Sequence, residues 1–188
     1  MKSEEKVQLR SHILNQIKSL DSEQKSQKSK SIQTHLQSLL KNQKGYWAGY
    51  QSLADEPAID WKNISGQIQW CFPFVQGDVL KFKNSNVNFK ASTLGVREPL
   101  DGEEVPLANI QGLVIPGVAF SKMGHRLGRG RGFFDRTLEK YLGKKIGICY
   151  EMSLCDQLPH EAHDVQCSPI VTENSIYQTG SEGDSKWN

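Results

Sequence analysis

The sequence predicts an α/β protein in which helices cover both faces of a mainly parallel β-sheet. Two amphipathic helices open the chain, and short apolar strands then alternate with helical or polar segments. Near-continuous apolar strands are typical of parallel sheets that are covered on both faces. With 188 residues, of which 37% are hydrophobic, the chain is long enough to bury a sizeable core. We expect one domain over residues 1–180 and a polar tail over 181–188.

The first two predicted elements are helices. Residues 3–20 repeat apolar side chains at helical spacing, and Lys6 and Arg10, four positions apart, therefore share one face. Taken alone, two such charges are also compatible with an ordinary solvated helix surface. A second amphipathic helix is predicted over residues 23–40, with Asp21 or the serine after it as the N-cap.

Runs of aromatic and β-branched residues predict the strands that follow. The runs expected in the sheet are 45–50, 68–75, 112–116, 145–150 and 168–172. A short helix is expected after Asp55-Glu56-Pro57, between the first two strands, and would begin a β-α-β alternation. Residues 79–82 and 87–89 are interpreted as a hairpin or an edge pair, and 95–106 as a polar connection.

The segment PGVAFSKMGHRLGRGRGFFDR (116–136) carries the strongest functional signal. Three of its glycines alternate with Arg129 and Arg131, directly before a predicted helix over 133–142. Glycine allows the backbone to approach a ligand closely, while guanidinium groups and the N–H groups at a helix start attract anions. Because the segment follows the predicted strand at 112–116, it should lie where α/β sheets bind ligands, beyond the carboxyl ends of the strands. The sequence therefore predicts a phosphate-binding loop.

The spacing of this loop excludes two familiar phosphate-binding motifs. The chain has no GxxxxGK[ST] sequence, and its GxGxG lacks the spacing of the GxGxxG dinucleotide turn. Asp135 lies just inside the predicted helix, where its carboxylate could hold a divalent cation against phosphates that the arginines neutralise. The alternative is that Asp135 caps the helix or pairs with Arg131 or Arg136. For the loop as a whole, phosphate binding is favoured, because a solvated turn has no need of so many arginines.

Charge and hydropathy limit the kinds of partner. The formal net charge is +2, and much of the basic excess lies in the N-terminal helices and the 126–136 loop. A focused site for a small anion is therefore favoured over a surface that coats nucleic acid. No stretch is long and apolar enough to cross a membrane, and residues 2–10 are polar, unlike a signal peptide. We expect a soluble cytoplasmic protein.

Cysteine and histidine spacing gives little sign of a disulfide or a metal site. The four cysteines form no CxxC pair, and Cys71 and Cys149 lie in apolar runs, where a reduced cysteine behaves as a small hydrophobe. His160, His163 and Asp164 could belong to a zinc site, but two histidines three apart without a recognised third ligand are weak evidence. We therefore expect reduced cysteines and no zinc.

The same residues carry a resemblance to a known family. The segment PGVAFSKMGHRLGRGRGFFDRTL resembles the signature of the 5-formyltetrahydrofolate cyclo-ligases, also called 5,10-methenyltetrahydrofolate synthetases. Other segments similar to the family, in chain order, are Lys6-x-x-x-Arg10, DEPAID (55–60), Arg97-Glu98-Pro99 and LPHEAHDVQCSPIVTE (158–173). The similarity covers nearly the whole chain. It implies a three-layer α/β/α, Rossmann-like fold of the NagB/RpiA/CoA-transferase-like type.

The resemblance also implies roles for individual residues. It places ATP at Lys6, Arg10, Arg126, Gly128, Arg129, Gly130, Arg131, Gly132, Phe133 and Phe134. It places the folate substrate at Gln51, Glu56, Arg129, Gly130, Arg131, Gly132 and Phe133. Asp135 and Asp164 are the implied ligands of Mg²⁺. Arg129 and Arg131 are the implied catalytic residues, which would stabilise charge on the transferred phosphoryl group.

The implied activity is the ATP- and Mg²⁺-dependent cyclisation of 5-formyltetrahydrofolate to 5,10-methenyltetrahydrofolate, with release of ADP and phosphate. The 5-formyl oxygen would attack the γ-phosphate, and N10 would then displace phosphate from the activated intermediate. Such chemistry needs positioning and charge neutralisation rather than a covalent enzyme intermediate, which agrees with a chain rich in loop arginines. The implied partners are these small molecules, without nucleic acid or membrane, and the implied state is a monomer.

The sequence alone is compatible with several alternatives. The family commonly has two tyrosines before the loop aspartate, whereas this chain has Phe133 and Phe134, which keep ring stacking but lack a phenolic hydroxyl. Glu56 could be a helix cap, and Asp164 could pair with a neighbouring histidine. The arginine-glycine loop could belong to an RNA-binding module, although such segments are generally longer and repetitive. The chain could also be a nucleotide-binding relative without folate chemistry.

Overall fold

The computed structural model describes residues 2–64, 66–84, 88–92, 95–161 and 164–179. The helices in these ranges are α1 (Lys2–Lys18), α2 (Ser22–Leu40) and α3 (Phe133–Leu138). The strands are β1 (Lys44–Ala48), β2 (Gln67–Gln76), β3 (Val79–Lys83), β4 (Phe89–Ala91), β5 (Arg97–Pro99), β6 (Ile110–Pro116), β7 (Ala119–Ser121), β8 (Arg126–Leu127), β9 (Lys144–Ile148), β10 (Leu154–Cys155), β11 (Ile170–Val171) and β12 (Ile176–Tyr177). Single turns of 3-10 helix are found at Trp61–Asn63, Leu107–Asn109 and Glu151–Ser153.

A seven-stranded sheet forms the centre of the molecule, in the order β12-β11-β9-β6-β1-β2-β3. Its five inner strands run parallel, and the outer strands β12 and β3 are antiparallel to their neighbours. Two smaller sheets, β10-β7-β8 and β4-β5, complete the pairing of the named strands. Because parallel strands end at the same edge, the segments that follow β1, β2, β6 and β9 leave the sheet on one side.

The two faces of the central sheet carry two hydrophobic clusters. On one face, Ile17 of α1 and Leu36 of α2 belong to the same buried cluster as Trp47 of β1. On the other face, Leu138 of α3 belongs to a cluster that contains Ala48. The neighbours Trp47 and Ala48 belong to different clusters because side chains alternate along a strand. Helices therefore lie against both faces of a mainly parallel sheet, as the sequence predicts.

The predicted helices and main strands correspond closely to α1, α2, β1, β2, β6, β9 and β11. Asp21 is the N-cap of α2: its side chain accepts the N–H of Gln24, whose own side chain accepts the N–H of Asp21. This reciprocal capping box satisfies N–H groups that would otherwise lack partners at the helix start. The sequence prediction of this helix boundary is thus confirmed.

Two predictions need correction. Residues 79–82 do not pair with 87–89, because β3 pairs with β2 while β4 pairs with β5; Val87 itself lies outside the described residues. The helix predicted over 133–142 ends at Leu138, and the chain then turns so that the buried Tyr141 hydroxyl donates to the carbonyl of Ile110. The short helix predicted after Pro57 is present as a single turn of 3-10 helix at Trp61–Asn63. The expected tail over 181–188 lies outside the described residues.

The four cysteines are free, as expected. Burial raises the pKa of Cys71 and Cys167 to about 12, so these thiols stay protonated at neutral pH and pack as small apolar groups. Across the described ranges, none of the helices combines the length and apolar character needed to span a bilayer.

Gly112 of β6 allows this strand to lie close to the Trp47 ring of β1. A Cβ atom added at Gly112 would come within 2.4 Å of that fully buried ring. We expect Gly112→Ala to lower the free energy of unfolding by about 1–3 kcal/mol, because overpacking displaces a core side chain. Gln111→Ala, at the exposed neighbouring position, should change it by less than about 0.5 kcal/mol. Urea unfolding measures both variants, and equal stabilities would contradict the close packing at Gly112.

Candidate active site

A pocket opens at the edge of the sheet where β1, β2 and β6 end. Gln51 follows β1, Val75 lies near the end of β2, and Gly117 follows β6, and all three line the pocket. Glu56 and most of the glycine loop at 128–132 complete its wall. The pocket therefore lies beyond the carboxyl ends of the parallel strands, the position at which open α/β sheets bind ligands.

The glycine loop is more structured than the sequence suggests. Strands β7 and β8 pair between the end of β6 and the loop, so the loop proper spans only residues 128–132. Gly130 and Gly132 have φ angles of 92° and 67°, a left-handed conformation that favours glycine. A Cβ atom at Gly130 would lie 3.7 Å from the guanidinium carbon of Arg10. These glycines bring the backbone close to the basic side chain of α1.

Two basic side chains of α1 reach the site. Lys6 Nζ lies 2.7 Å from Asp164 Oδ2, and Arg10 Nε donates to the carbonyl oxygen of Gly128 at 2.7 Å. The Lys6 side chain is only 12% exposed, so the pair does not sit on an ordinary solvated helix surface. Burial of Ile17 in the core holds α1 against the sheet, and the spacing of four residues then directs both charges to one place.

The guanidinium group of Arg126 is built into the site by three contacts. Its Nε donates to the carbonyl of Pro116 at 2.9 Å, its Nη1 lies 3.6 Å from Asp135 Oδ1, and it lies 4.8 Å from the centroid of the Phe134 ring. Burial lowers the pKa of Arg126, and the negative charge of Asp135 opposes this shift. Arg126 therefore has a structural role, whatever contact it makes with a ligand.

Arg129 crosses the pocket and binds two adjacent carboxylates. Its Nε and Nη2 donate to Glu56 Oε1 at 3.1 and 3.0 Å, and its Nη1 and Nη2 donate to the two oxygens of Asp55 at 3.2 and 2.5 Å. Glu56 Oε2 accepts the N–H of Leu53 at 3.0 Å. Burial opposes the charge of Arg129, but hydrogen bonds to Asp55 and the attraction of Glu56 outweigh it, so the pKa of Arg129 is raised. Glu56 is a partner of the loop rather than a helix cap.

The carboxylate of Asp135 contacts the backbone directly after Asp164. Asp135 Oδ1 accepts the N–H of Val165, the residue after Asp164, at 3.3 Å. Each carboxylate also has a basic partner, Arg126 for the former and Lys6 for the latter. Within the part of the chain that the structure describes, no group of three or more His, Cys, Asp or Glu side chains could hold a metal ion. A cation here would need ligands from a bound molecule in addition to these two carboxylates.

Arg131 differs from the other loop arginines. It is exposed, lines the pocket, and makes no side-chain hydrogen bond or ion pair with another described residue. The rings of Phe133 and Phe134 are partly buried beside the loop, with the guanidinium of Arg136 lying 5.4 Å from the centroid of Phe133. Among the loop side chains, Arg131 is therefore the cation whose charge is best placed to meet a ligand.

Two features of the site are not evident from the sequence. Asp55 accepts two of the four hydrogen bonds that Arg129 donates to carboxylates. In the sequence, the only indication of this contact is that two adjacent acidic residues, Asp55 and Glu56, occur in a chain with a strongly basic loop. His160 stacks face to face on His125, with ring centroids 3.7 Å apart, which the histidine spacing does not suggest. Burial and the neighbouring imidazole lower the pKa of His125. His163 lies outside the described residues, so the zinc hypothesis that involves it stays untested.

The fold and the pocket define an α/β protein with a glycine- and arginine-rich loop suited to binding phosphate groups. Within that class, the chain belongs to the 5-formyltetrahydrofolate cyclo-ligase family, whose model matches residues 2–173. The resemblance seen in the loop and its flanking segments is thus confirmed over nearly the whole chain.

Individual relatives agree with this assignment. The 5-formyltetrahydrofolate cyclo-ligase of Escherichia coli K12 is 34% identical over 113 residues, which cover 56% of this chain and 62% of the relative. The Haemophilus influenzae enzyme is 39% identical over 87 residues, covering 44% of this chain and 46% of the relative. The alignments thus span less than two thirds of these relatives.

The structure of Aquifex aeolicus 5,10-methenyltetrahydrofolate synthetase has a TM-score of 0.79 and 25% identity, covering 96% of this chain and 99% of that one. The structure of the Mycoplasma pneumoniae synthetase has a TM-score of 0.73 and 26% identity, covering 89% of this chain and 98% of that one.

Arg126 of β8 and Arg131 of the loop should differ in what their removal does to stability. We expect Arg126→Ala to lower the free energy of unfolding by about 3 kcal/mol, because it leaves a partly buried Asp135 carboxylate without its charge partner. Arg131→Ala removes an exposed side chain and should change stability by less than about 0.5 kcal/mol. Chemical denaturation of the two variants measures the difference. Equal effects of the two substitutions would contradict a structural role for Arg126.

Proposed function

We propose that this protein uses ATP to cyclise 5-formyltetrahydrofolate to 5,10-methenyltetrahydrofolate, with release of ADP and phosphate. The observation that carries the proposal is a pocket at the sheet edge whose wall contains both Glu56 and most of the cationic loop at 128–132. Arg10 of α1 is hydrogen-bonded to this loop at Gly128, and Lys6 is paired with Asp164. Membership of the cyclo-ligase family supports the same reaction. We further propose that the protein acts as a cytoplasmic monomer without a nucleic-acid partner.

The proposed reaction has two steps. The 5-formyl oxygen attacks the γ-phosphorus of ATP, ADP leaves, and the formyl group becomes a phosphorylated iminium. N10 then attacks the activated carbon, the carbon–oxygen bond breaks so that phosphate leaves with the N10 proton, and the methenyl bridge closes. Neither step needs a protein nucleophile. Both need reactants held in contact and negative charge neutralised as it moves between oxygens, which loop cations and close positioning supply.

The basic residues have different proposed roles in binding ATP. Arg10 reaches the loop from α1, while Lys6, one turn earlier, is paired with Asp164. Both would bind the nucleotide phosphates together with the backbone at Gly128 and Gly130. Arg131, exposed on the pocket wall, would meet the transferred phosphoryl group. Arg129 would join it there after leaving its carboxylate partners. This places two guanidinium groups where charge develops during phosphoryl transfer.

Asp135 and Asp164 fit the requirements of Mg²⁺. This ion prefers oxygen ligands and is usually held by one or two carboxylates, with phosphate oxygens and water completing its shell. The Asp135 carboxylate accepts the N–H of Val165, the residue after Asp164, and each of the two carboxylates is paired with a cation proposed to bind phosphate. Mg²⁺, when bound with ATP, would neutralise phosphate charge. The residues' own task is to hold two acidic oxygens at a fixed place next to the loop.

The other half of the pocket suits a folate. Its wall is largely apolar near Leu53, Phe74 and Leu80, which provides a surface for a flat ring system. Glu56, whose side chain is only 9% exposed, supplies a carboxylate at the inner end. A pterin edge carries neighbouring N–H and NH₂ donors, which match the two oxygens of a carboxylate. Phe133 adds an aromatic face on the loop side.

The alternative of an RNA-binding module has less support. Flexible arginine-glycine segments bind RNA through exposed cationic and aromatic side chains. Here Arg126 is buried, Arg129 is paired with two carboxylates and the backbone of Gly128 is held by Arg10. Most of the basic side chains are therefore committed to a pocket rather than spread over an open surface.

One assay tests the proposed reaction. We expect purified protein to convert 5-formyltetrahydrofolate to the methenyl product, followed by its absorbance, only when ATP and Mg²⁺ are both present. Moderate salt should affect the rate little, because the substrates bind in a pocket rather than along a polyanion. Absence of conversion, combined with RNA binding that weakens steeply with salt, would replace the proposal by the RNA-binding alternative. Nucleotide binding without conversion would indicate a relative that lacks folate chemistry.

The metal assignment has its own test. Asp135→Asn keeps the shape of the side chain and an acceptor for Val165 but removes the negative charge. We expect at least about a 10-fold rise in the Mg²⁺ concentration needed for half-maximal rate, because charged oxygen ligands dominate Mg²⁺ binding. Asp156→Asn, on the surface and paired with Lys122, is the matched control and should leave this requirement unchanged. If Asp135→Asn has the same Mg²⁺ requirement as the unmodified protein, Asp135 is not a metal ligand and its role is confined to its contacts with Arg126 and Val165.

A further inference from the structure

The hydrogen-bonding capacity of Arg129 is almost fully used in the observed arrangement. A guanidinium group has five N–H donors, one on Nε and two on each Nη. Four of them are directed to carboxylates: Nε and one Nη2 donor to Glu56, the other Nη2 donor and one Nη1 donor to Asp55. One donor is left for any other partner. Arg129 therefore cannot donate two parallel hydrogen bonds to a phosphate while it is bound to both carboxylates.

The carboxylate of Glu56 is occupied in a complementary way. Each carboxylate oxygen has about two acceptor positions. Both positions of Oε1 receive donors of Arg129, at 3.1 and 3.0 Å, and one position of Oε2 receives the N–H of Leu53 at 3.0 Å. A pterin edge needs one position on each oxygen. Because Oε1 has none left, Arg129 and the pterin edge exclude each other at Glu56.

We propose that Asp55 and Glu56 together hold Arg129 across the folate half of the pocket, and that nucleotide phosphates release it, so that ATP binds before folate. The inference rests on the proposed function. The phosphates recruit Arg129, Glu56 then exposes both oxygens, and the pterin edge takes its place. The same side-chain movement makes the arginine available for phosphoryl transfer and the carboxylate available for folate. Binding of each substrate thereby strengthens binding of the other.

Asp55 acts in this scheme as a positioning residue. It takes two of the four engaged donors of Arg129 but lies at the outer side of the contact, with a side chain 18% exposed, against 9% for Glu56. Its negative charge lowers the free energy of the arrangement that blocks Glu56. Removing that charge should therefore favour release of Arg129 without removing the carboxylate that is proposed to meet folate.

Calorimetric titration of 5-formyltetrahydrofolate, with and without the β,γ-imido analogue of ATP plus Mg²⁺, tests the coupling. For the unmodified protein we expect the analogue to tighten folate binding at least about 10-fold, within the usual range of coupling between sites. Asp55→Asn should tighten folate binding in the absence of nucleotide and reduce the effect of the analogue to about 3-fold or less. Asp55→Glu, which restores a carboxylate, should recover the coupling. A merely structural Asp55 would leave the ratio of the two affinities unchanged in all variants.

Arg129→Lys provides a second variant with both carboxylates intact. A lysine ammonium is a point charge that cannot donate paired hydrogen bonds to both Asp55 and Glu56. The factor by which the ATP analogue tightens folate binding should therefore fall again. Folate affinities that do not depend on the analogue in the unmodified protein, while turnover is normal, would overturn the inference and leave the proposed function standing. Absence of turnover together with absence of folate binding under both conditions would overturn the proposed function and this inference with it.

Discussion

The positive charge of the glycine loop and of α1 has to be balanced inside a partly buried pocket, and the site is organised around this constraint. Lys6 is paired with Asp164, Arg126 with Asp135, and Arg129 with both Asp55 and Glu56. Every acidic residue proposed to bind metal or folate is thus also the counter-ion of a residue proposed to bind phosphate. In a low-dielectric pocket an unpaired charge would be costly, so these pairs help to hold the loop, α1 and the segment after β1 together.

Under the proposed function, substrate binding exchanges the partners of these charged groups instead of adding charge to a preformed gap. ATP phosphates would replace the carboxylates as partners of the cations, Mg²⁺ would bind Asp135 and Asp164, and the pterin edge would bind Glu56. Each exchange replaces one charge-assisted contact by another, so the protein need not leave any of these groups unpaired. The parallel sheet makes this possible because it brings the segments after β1, β2 and β6 to one edge, where the pairs can meet.

The sequence predicts the parts of this arrangement that depend on local patterns. Helix periodicity and the Asp21 cap locate α1 and α2, apolar runs locate the inner strands, and the alternation of glycine with arginine identifies the loop. What it cannot supply are pairings between distant segments. The contact of Arg129 with Asp55 joins residues 74 positions apart, and only the three-dimensional fold brings them together. For the same reason the short strands β5, β7, β8, β10 and β12 are missed, since they are defined by their partners rather than by their own composition.

In the proposed function, the loop arginines stabilise phosphoryl transfer rather than merely shape the pocket. Arg131 is the residue best suited to test this role, because its side chain has no structural partner among the described residues. The measurement is the single-turnover rate of methenyl formation at saturating ATP, Mg²⁺ and 5-formyltetrahydrofolate. We expect Arg131→Ala to reduce this rate by about 100- to 1,000-fold, the usual effect of removing one transition-state charge partner. Lys140→Ala, which removes an exposed cation beyond α3, should stay close to the unmodified rate. An unchanged rate in Arg131→Ala would contradict the account.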